Sequence, residues 1–199
     1  MKQAHDRPRP AIHLLLTMMA LLLSAAPAVA DLRRYTLDPA GSEVGFTYRI
    51  QGTTFEGAIP VTEADIAIDF TDVGRTRAEV ALNARQARAG VVLATQALRG
   101  ASVLNVDSHP TIRFSALRTR PDGAGAVMEG DLTVRGVTRP VALRARFLRP
   151  PGADPDARDR LTILLTGSVS RFDYGASGYP NIVGDTIGLR IRAAIRALD

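Results

Sequence analysis

Apolar and polar residues alternate with a period of two along much of this chain. The clearest run is Val44, Phe46, Tyr48 and Ile50, separated by Gly45, Thr47 and Arg49; such alternation marks a strand with one buried face. The same spacing recurs in Ile66-Ile68-Phe70, Ala78-Val80-Leu82, Ile112-Phe114, Met128-Gly130-Leu132-Val134, Val141-Leu143-Ala145-Phe147, Leu161-Ile163-Leu165 and Ile187-Leu189-Ile191. About eight strands are therefore expected. Arg144 and Arg146 interleave one run and Arg190 and Arg192 another. In antiparallel sheets with one solvated side these positions face outward, so the arginines read as exterior residues and not as a binding patch.

Turn residues separate the runs: Asp72-Val73-Gly74, Pro121-Asp122-Gly123, Arg135-Gly136-Val137, and Pro150-Pro151-Gly152 through Arg160. Connections this short predict an up-and-down meander. Val91 to Val103 interrupts it, with Leu93, Ala97, Leu98 and Ala101 at helical spacing and Pro110 beyond the exit; one helix is expected there. The predicted fold is mainly β, an antiparallel barrel of about eight strands with one helical insertion. Alternation alone leaves an open two-sheet sandwich as the alternative.

The N-terminus follows a different pattern. Lys2, Arg7 and Arg9 precede an apolar run from Ala11 to Leu23, and the segment closes on Ala28-Val29-Ala30. This is the layout of a secretory signal cut after Ala30, so residues 1–30 are expected to be a signal peptide and 31–199 one domain of the periplasm. An uncleaved membrane anchor is the alternative, opposed by Pro27 and the Ala-x-Ala ending. Removing residues 1–30 takes Lys2, Arg7, Arg9 and Asp6 out of the 25 basic and 20 acidic residues, leaving 22 and 19 and a net charge of +3. So small a surplus argues against nucleic acid. The absence of cysteine excludes disulfides, thiolate metal sites and an N-terminal lipid anchor on Cys.

Catalytic constellations are sparse. His5 and His13 leave with the signal, so His109 is the sole imidazole of the exported chain and no multi-histidine metal site can be built. Asp107-Ser108-His109 are consecutive, and neighbours on an extended chain point to opposite faces, which defeats a triad. Asp131, Asp173 and Asp185 remain as acid or base candidates for an enzyme acting on a lipid head group, although their spacing brings no two together. Asp173 lies two residues from Arg171, favouring an ion pair or turn contact over catalysis. No glycine-rich phosphate motif occurs. Inward positions mix bulky Phe46, Tyr48, Phe114 and Phe147 with small Ala78, Gly130 and Ala145, which leaves a filled core and a hollow one equally open.

Five stretches taken together resemble the YceI family of bacterial exported lipid-binding proteins: Tyr35-Thr36-Leu37-Asp38, Leu98 to Phe114 (LRGASVLNVDSHPTIRF), Gly130 to Pro140 (GDLTVRGVTRP), Ser170 to Gly175 (SRFDYG) and Val183-Gly184-Asp185. They span nearly the whole chain beyond residue 30, and the Gly130-to-Pro140 block is the most specific. The chain departs from the family pattern at Gly41-Ser42, where His-Ser is common, at Ala97, where His is common, and at Val103 and Leu104, where aromatic residues are common.

The resemblance implies a lipocalin-like barrel whose core channel takes a long isoprenoid or similar amphiphile, with no catalysis and no cofactor. The expected ligand is a polyisoprenoid, quinone-like or fatty chain, lined by Val44, Phe46, Tyr48, Phe114, Leu132, Val134, Leu143, Phe147, Ile187 and Leu189, with Leu98 and Leu104 as a lid. Arg171 is the expected internal charge, paired with Asp173 or meeting a polar head. No metal and no nucleic acid are expected as partners. A further reading, independent of a lipid, is a filled barrel acting through its surface on a membrane redox or lipid-pathway protein.

Overall fold

The computed structural model describes residues 32–149, 152, 154 and 156–198. The expected signal peptide and its cut site lie outside them. Ten strands form one antiparallel sheet: β1 (Leu32–Leu37), β2 (Glu43–Ile50), β3 (Thr53–Ala58), β4 (Val61–Asp69), β5 (Arg77–Asn83), β6 (Thr111–Asp122), β7 (Gly125–Val134), β8 (Val137–Leu148), β9 (Arg160–Ser170) and β10 (Thr186–Ala197). From β4 to β10 each strand pairs with the next, and β1 closes the ring between β10 and β4. The result is a closed eight-stranded antiparallel barrel with one helix. Closure leaves the eight ring strands without the free edges that an open sandwich would expose, and β3, paired in the sheet with β2 alone, ends the extension.

Tyr35 is the closing residue, registered with Ala197 of β10 on one side and Ile66 of β4 on the other. It is 2% exposed, and its hydroxyl donates to the Arg158 carbonyl at 2.9 Å. One half of β10 pairs with β1; on the same side the other half pairs with β2, Val44 opposite Ile191 and Phe46 opposite Leu189. The β2–β3 hairpin thus extends the wall beyond the point where β1 ends.

A two-residue hairpin of type I′ needs left-handed backbone at both central residues, which matches the twist of the flanking strands. Arg135 and Gly136 supply it between β7 and β8, with φ of 54° and 75°. At Gly130 the requirement is for space: a Cβ there would stand 2.8 Å from the Phe114 ring. The small residue on β7 lets the large one on β6 fold over it.

The helix, α1, is shorter than the periodicity predicts, running from Val92 to Arg99. Leu98 turns inward, whereas Leu93 is 79% exposed. Residues 100–110 continue as turns, pinned by Arg135, whose guanidinium donates to the carbonyls of Ala101 and Val103 at 2.6 and 2.7 Å. Arg99 fixes the helix to the segment before it through a 2.9 Å bond to the Ala87 carbonyl.

Candidate functional site

Strand parity decides what the barrel interior presents. Inward positions are overwhelmingly aliphatic, and they enclose a cavity of about 370 Å3 running from the α1 end towards the opposite rim. Its wall takes Val44 and Phe46 from β2, Phe114 from β6, Leu132 and Val134 from β7, Leu143 and Phe147 from β8, and Ile187 and Leu189 from β10. Leu98 of α1 and Leu104 of the following turn close one end. A volume in this range suits a small or slender apolar guest.

Tyr48 stands apart from the other expected lining residues and is not part of this wall. Its ring stacks on Phe55 at 5.6 Å between centroids and its hydroxyl donates to the Ala89 carbonyl at 2.7 Å. That bond fastens β2 to the chain leading into α1. Burial pushes the Tyr48 phenol's pKa up.

Arg171 does reach the cavity wall and is 6% exposed, but Asp173 is not its partner. Four backbone carbonyls receive the guanidinium: Gly184 at 3.0 Å from Nε, Ala176 and Gly178 from one terminal nitrogen, and Val183 at 2.8 Å from the other. The fork geometry of arginine suits such multiple donation. Desolvation lowers its pKa, opposed by the nearby Asp185 charge. With four of its five N–H groups engaged, Arg171 organises the 171–185 loop and adds positive charge at this end, leaving little capacity for direct contact with a polar head.

The three carboxylates considered for catalysis lie outside the cavity wall. Asp131 is on the outward parity of β7, between inward Gly130 and Leu132. Asp173 is exposed in the turn after β9. Asp185 accepts from the Ser170 hydroxyl at 2.8 Å and the Phe172 amide at 3.0 Å, a structural duty. Asp107 and Ser108 are exposed, and the amides of Ser108 and His109 both turn back onto the Asn105 carbonyl. Among the described residues no cluster of three or more His, Asp or Glu side chains could hold a metal ion.

Alternation did not reveal two polar members of the wall. Thr119 points inward because a bulge between Ala116 and Arg118 resets the parity of β6, leaving Leu117 69% exposed. Tyr174 enters from the turn after β9, where no strand period applies. Both hydroxyls are buried without a hydrogen-bond partner among the described residues, and the Tyr174 phenol's pKa is raised, first by burial and then by Asp173.

A closed antiparallel barrel around a hollow, aliphatic interior with a helix at one end is the class of protein this chain represents. It belongs to the YceI-like domain family, whose model matches residues 35–195. The UPF0312 protein of Serratia proteamaculans is 28% identical over 163 residues, covering 80% of this chain and 83% of that one. Protein YceI of Escherichia coli O17:K52:H18 is 27% identical, with the same coverage. Among solved structures the barrel is similar to Burkholderia cenocepacia BcnA, with a TM-score of 0.71 at 16% identity over 80% of this chain and 99% of the other. It is also similar to the Campylobacter jejuni YceI protein, with a TM-score of 0.63 at 18% identity over 76% and 89%. The family fold is consistent with a binding protein.

Proposed function

We propose that this protein is a non-catalytic carrier that holds a long apolar lipid inside its barrel after export to the periplasm. The observation that carries the reading is the cavity itself, which is lined by aliphatic and aromatic side chains from nearly every strand and capped by Leu98 and Leu104. Burial of apolar surface drives such binding at roughly 25 cal/mol per Å2, so an isoprenoid or acyl chain supplies ample gross energy before ordering costs are subtracted. The position of Asp131, Asp173 and Asp185 outside the wall favours carriage over head-group chemistry. The charged head, apolar run and Ala28-Val29-Ala30 of the first thirty residues support export.

Native mass spectrometry of the protein purified from a periplasmic extract, followed by organic extraction, tests the reading. A stoichiometric long-chain lipid is expected, released from a chain beginning at Asp31. A protein that arrives empty and refuses added isoprenoids and fatty acids would overturn it.

A further inference from the structure

Arginine is the barrel's only cationic long side chain, because Lys2 is the sole lysine in the sequence. The register gathers several arginines onto one outer face. Arg144 of β8 lies beside Thr166 of β9, which lies beside Arg190 of β10. One step along, Arg146 lies beside Leu164, and Leu164 beside Arg192. Residues in register share a face, and all four arginines are exposed.

With strands about 4.8 Å apart and a two-residue repeat of about 6.7 Å, the four mark the corners of a patch of about 10 by 7 Å. Further along, Arg160 and Arg196 face each other directly across β9 and β10, a like-charge pairing that costs stability in isolation. None of these six arginines forms an ion pair with a described residue, although Glu43 is in register with Arg192. Arg146 and Arg192 also border the cavity.

We propose that the outer face of β8, β9 and β10 docks on the anionic headgroups of a bilayer. Guanidinium forks match phosphate oxygens bidentately, and a two-dimensional array of them fits a plane of headgroups better than a linear polyanion. The docked face places the bordering arginines, and with them the cavity rim, at the membrane surface. This assignment builds on the reading of the cavity as a lipid site, and the experiment below separates the two.

Flotation of the purified protein with phosphatidylcholine vesicles, with and without phosphatidylglycerol, measures docking, and native mass spectrometry of the same sample measures cargo. Binding is expected only to the anionic vesicles and is expected to weaken as salt rises. At about fivefold per arginine, the double variant Arg144→Thr/Arg190→Thr loses about 25-fold in vesicle affinity. Threonine suits an exposed strand position, and circular dichroism checks that the variant is folded. The double variant Arg113→Thr/Arg118→Thr on β6 removes the same charge elsewhere and keeps wild-type affinity.

Equal binding to both vesicle types, no binding at low salt, an equal loss in the β6 variant, or equally tight binding to a DNA duplex overturns the docking assignment. Cargo without vesicle binding sinks docking alone. Vesicle binding by a protein that takes up no lipid sinks the carrier reading alone.

Discussion

Arg171 is tied to Asp185 twice: its amide donates to the Asp185 carbonyl at 3.0 Å, and the Asp185 charge partly offsets the burial that lowers the guanidinium's pKa. The loop between them folds around that guanidinium, presenting the carbonyls of Ala176, Gly178, Val183 and Gly184 to it. The SRFDYG and VGD segments are thus two sides of one structural knot at the end of the cavity.

Removing that hub orphans several carbonyls at once. Arg171→Gln is expected to lower unfolding free energy by about 3 kcal/mol or more, since each buried acceptor left without a partner costs about 1–3 kcal/mol. Arg171→Lys recovers only part of this, because an ammonium cannot reproduce the planar fork. Urea unfolding of the three proteins measures the order, and a Gln variant as stable as wild type would contradict the knot.

The Tyr174 hydroxyl is buried and finds no hydrogen-bond partner among the described residues. Tyr174→Phe is expected to raise stability by about 1 kcal/mol, as removing an unsatisfied buried hydroxyl relieves its desolvation. The same denaturation curves check it. A variant less stable than wild type would mean that the hydroxyl has a partner such as ordered water.

Asp69 terminates β4 by accepting, through one carboxylate oxygen, the amides of Thr71 and Asp72 and the Thr71 hydroxyl at 2.8 to 2.9 Å. The Asp72 amide, then the Thr71 hydroxyl, holds its pKa below the usual carboxylate range. A depressed folded pKa contributes stability that is complete above the unfolded value of about 3.9 and fades as pH falls through the folded one. Acid should therefore destabilise the wild type more steeply than Asp69→Asn, which keeps an acceptor oxygen but cannot titrate. Unfolding curves at neutral pH and on the acid side of pH 4 give the comparison, and identical slopes would remove Asp69 from the acid response.

Period-two alternation was enough to read the meander from β4 to β10, because each of those strands buries one face against the barrel interior. It missed β1 and β3. Arg33 and Arg34 of β1 are both exposed, so a charge stands at the parity of buried Tyr35 and breaks the period, and β3, paired in the sheet with β2 alone, has no buried residue. It also could not anticipate the carbonyl cage of Arg171, since four acceptors drawn from residues 176–184 come together only once the loop has folded. Which strand residues face the barrel interior was legible by parity, as at Phe46 and Leu132. Tyr48 shows where parity misleads: a hydroxyl with a partner, Ala89, draws a ring on the inward face out of the cavity wall.

The facing pair Arg160 and Arg196 allows a test of the outer face that is independent of lipid. Arg196→Glu converts a cross-strand repulsion into an ion pair, for an expected gain of about 0.2–1 kcal/mol. The gain should shrink as salt screens the pair. Stability unchanged at low salt would indicate that the two side chains already splay apart.

Ala145 offers the most direct test of whether the cavity is the binding volume. It is a small inward residue on β8, registered between Ala126 and Leu165, and all three border the cavity. A phenylalanine there extends into empty space rather than into packed neighbours, so Ala145→Phe is expected to stay folded, with stability within about 1–3 kcal/mol of wild type. The same ring occupies volume that a guest chain would need. Lipid recovered from the purified variant should therefore fall well below stoichiometric, while circular dichroism and the unfolding transition remain those of a barrel. If a folded Ala145→Phe protein carried as much lipid as wild type, the guest would have to lie elsewhere on the molecule.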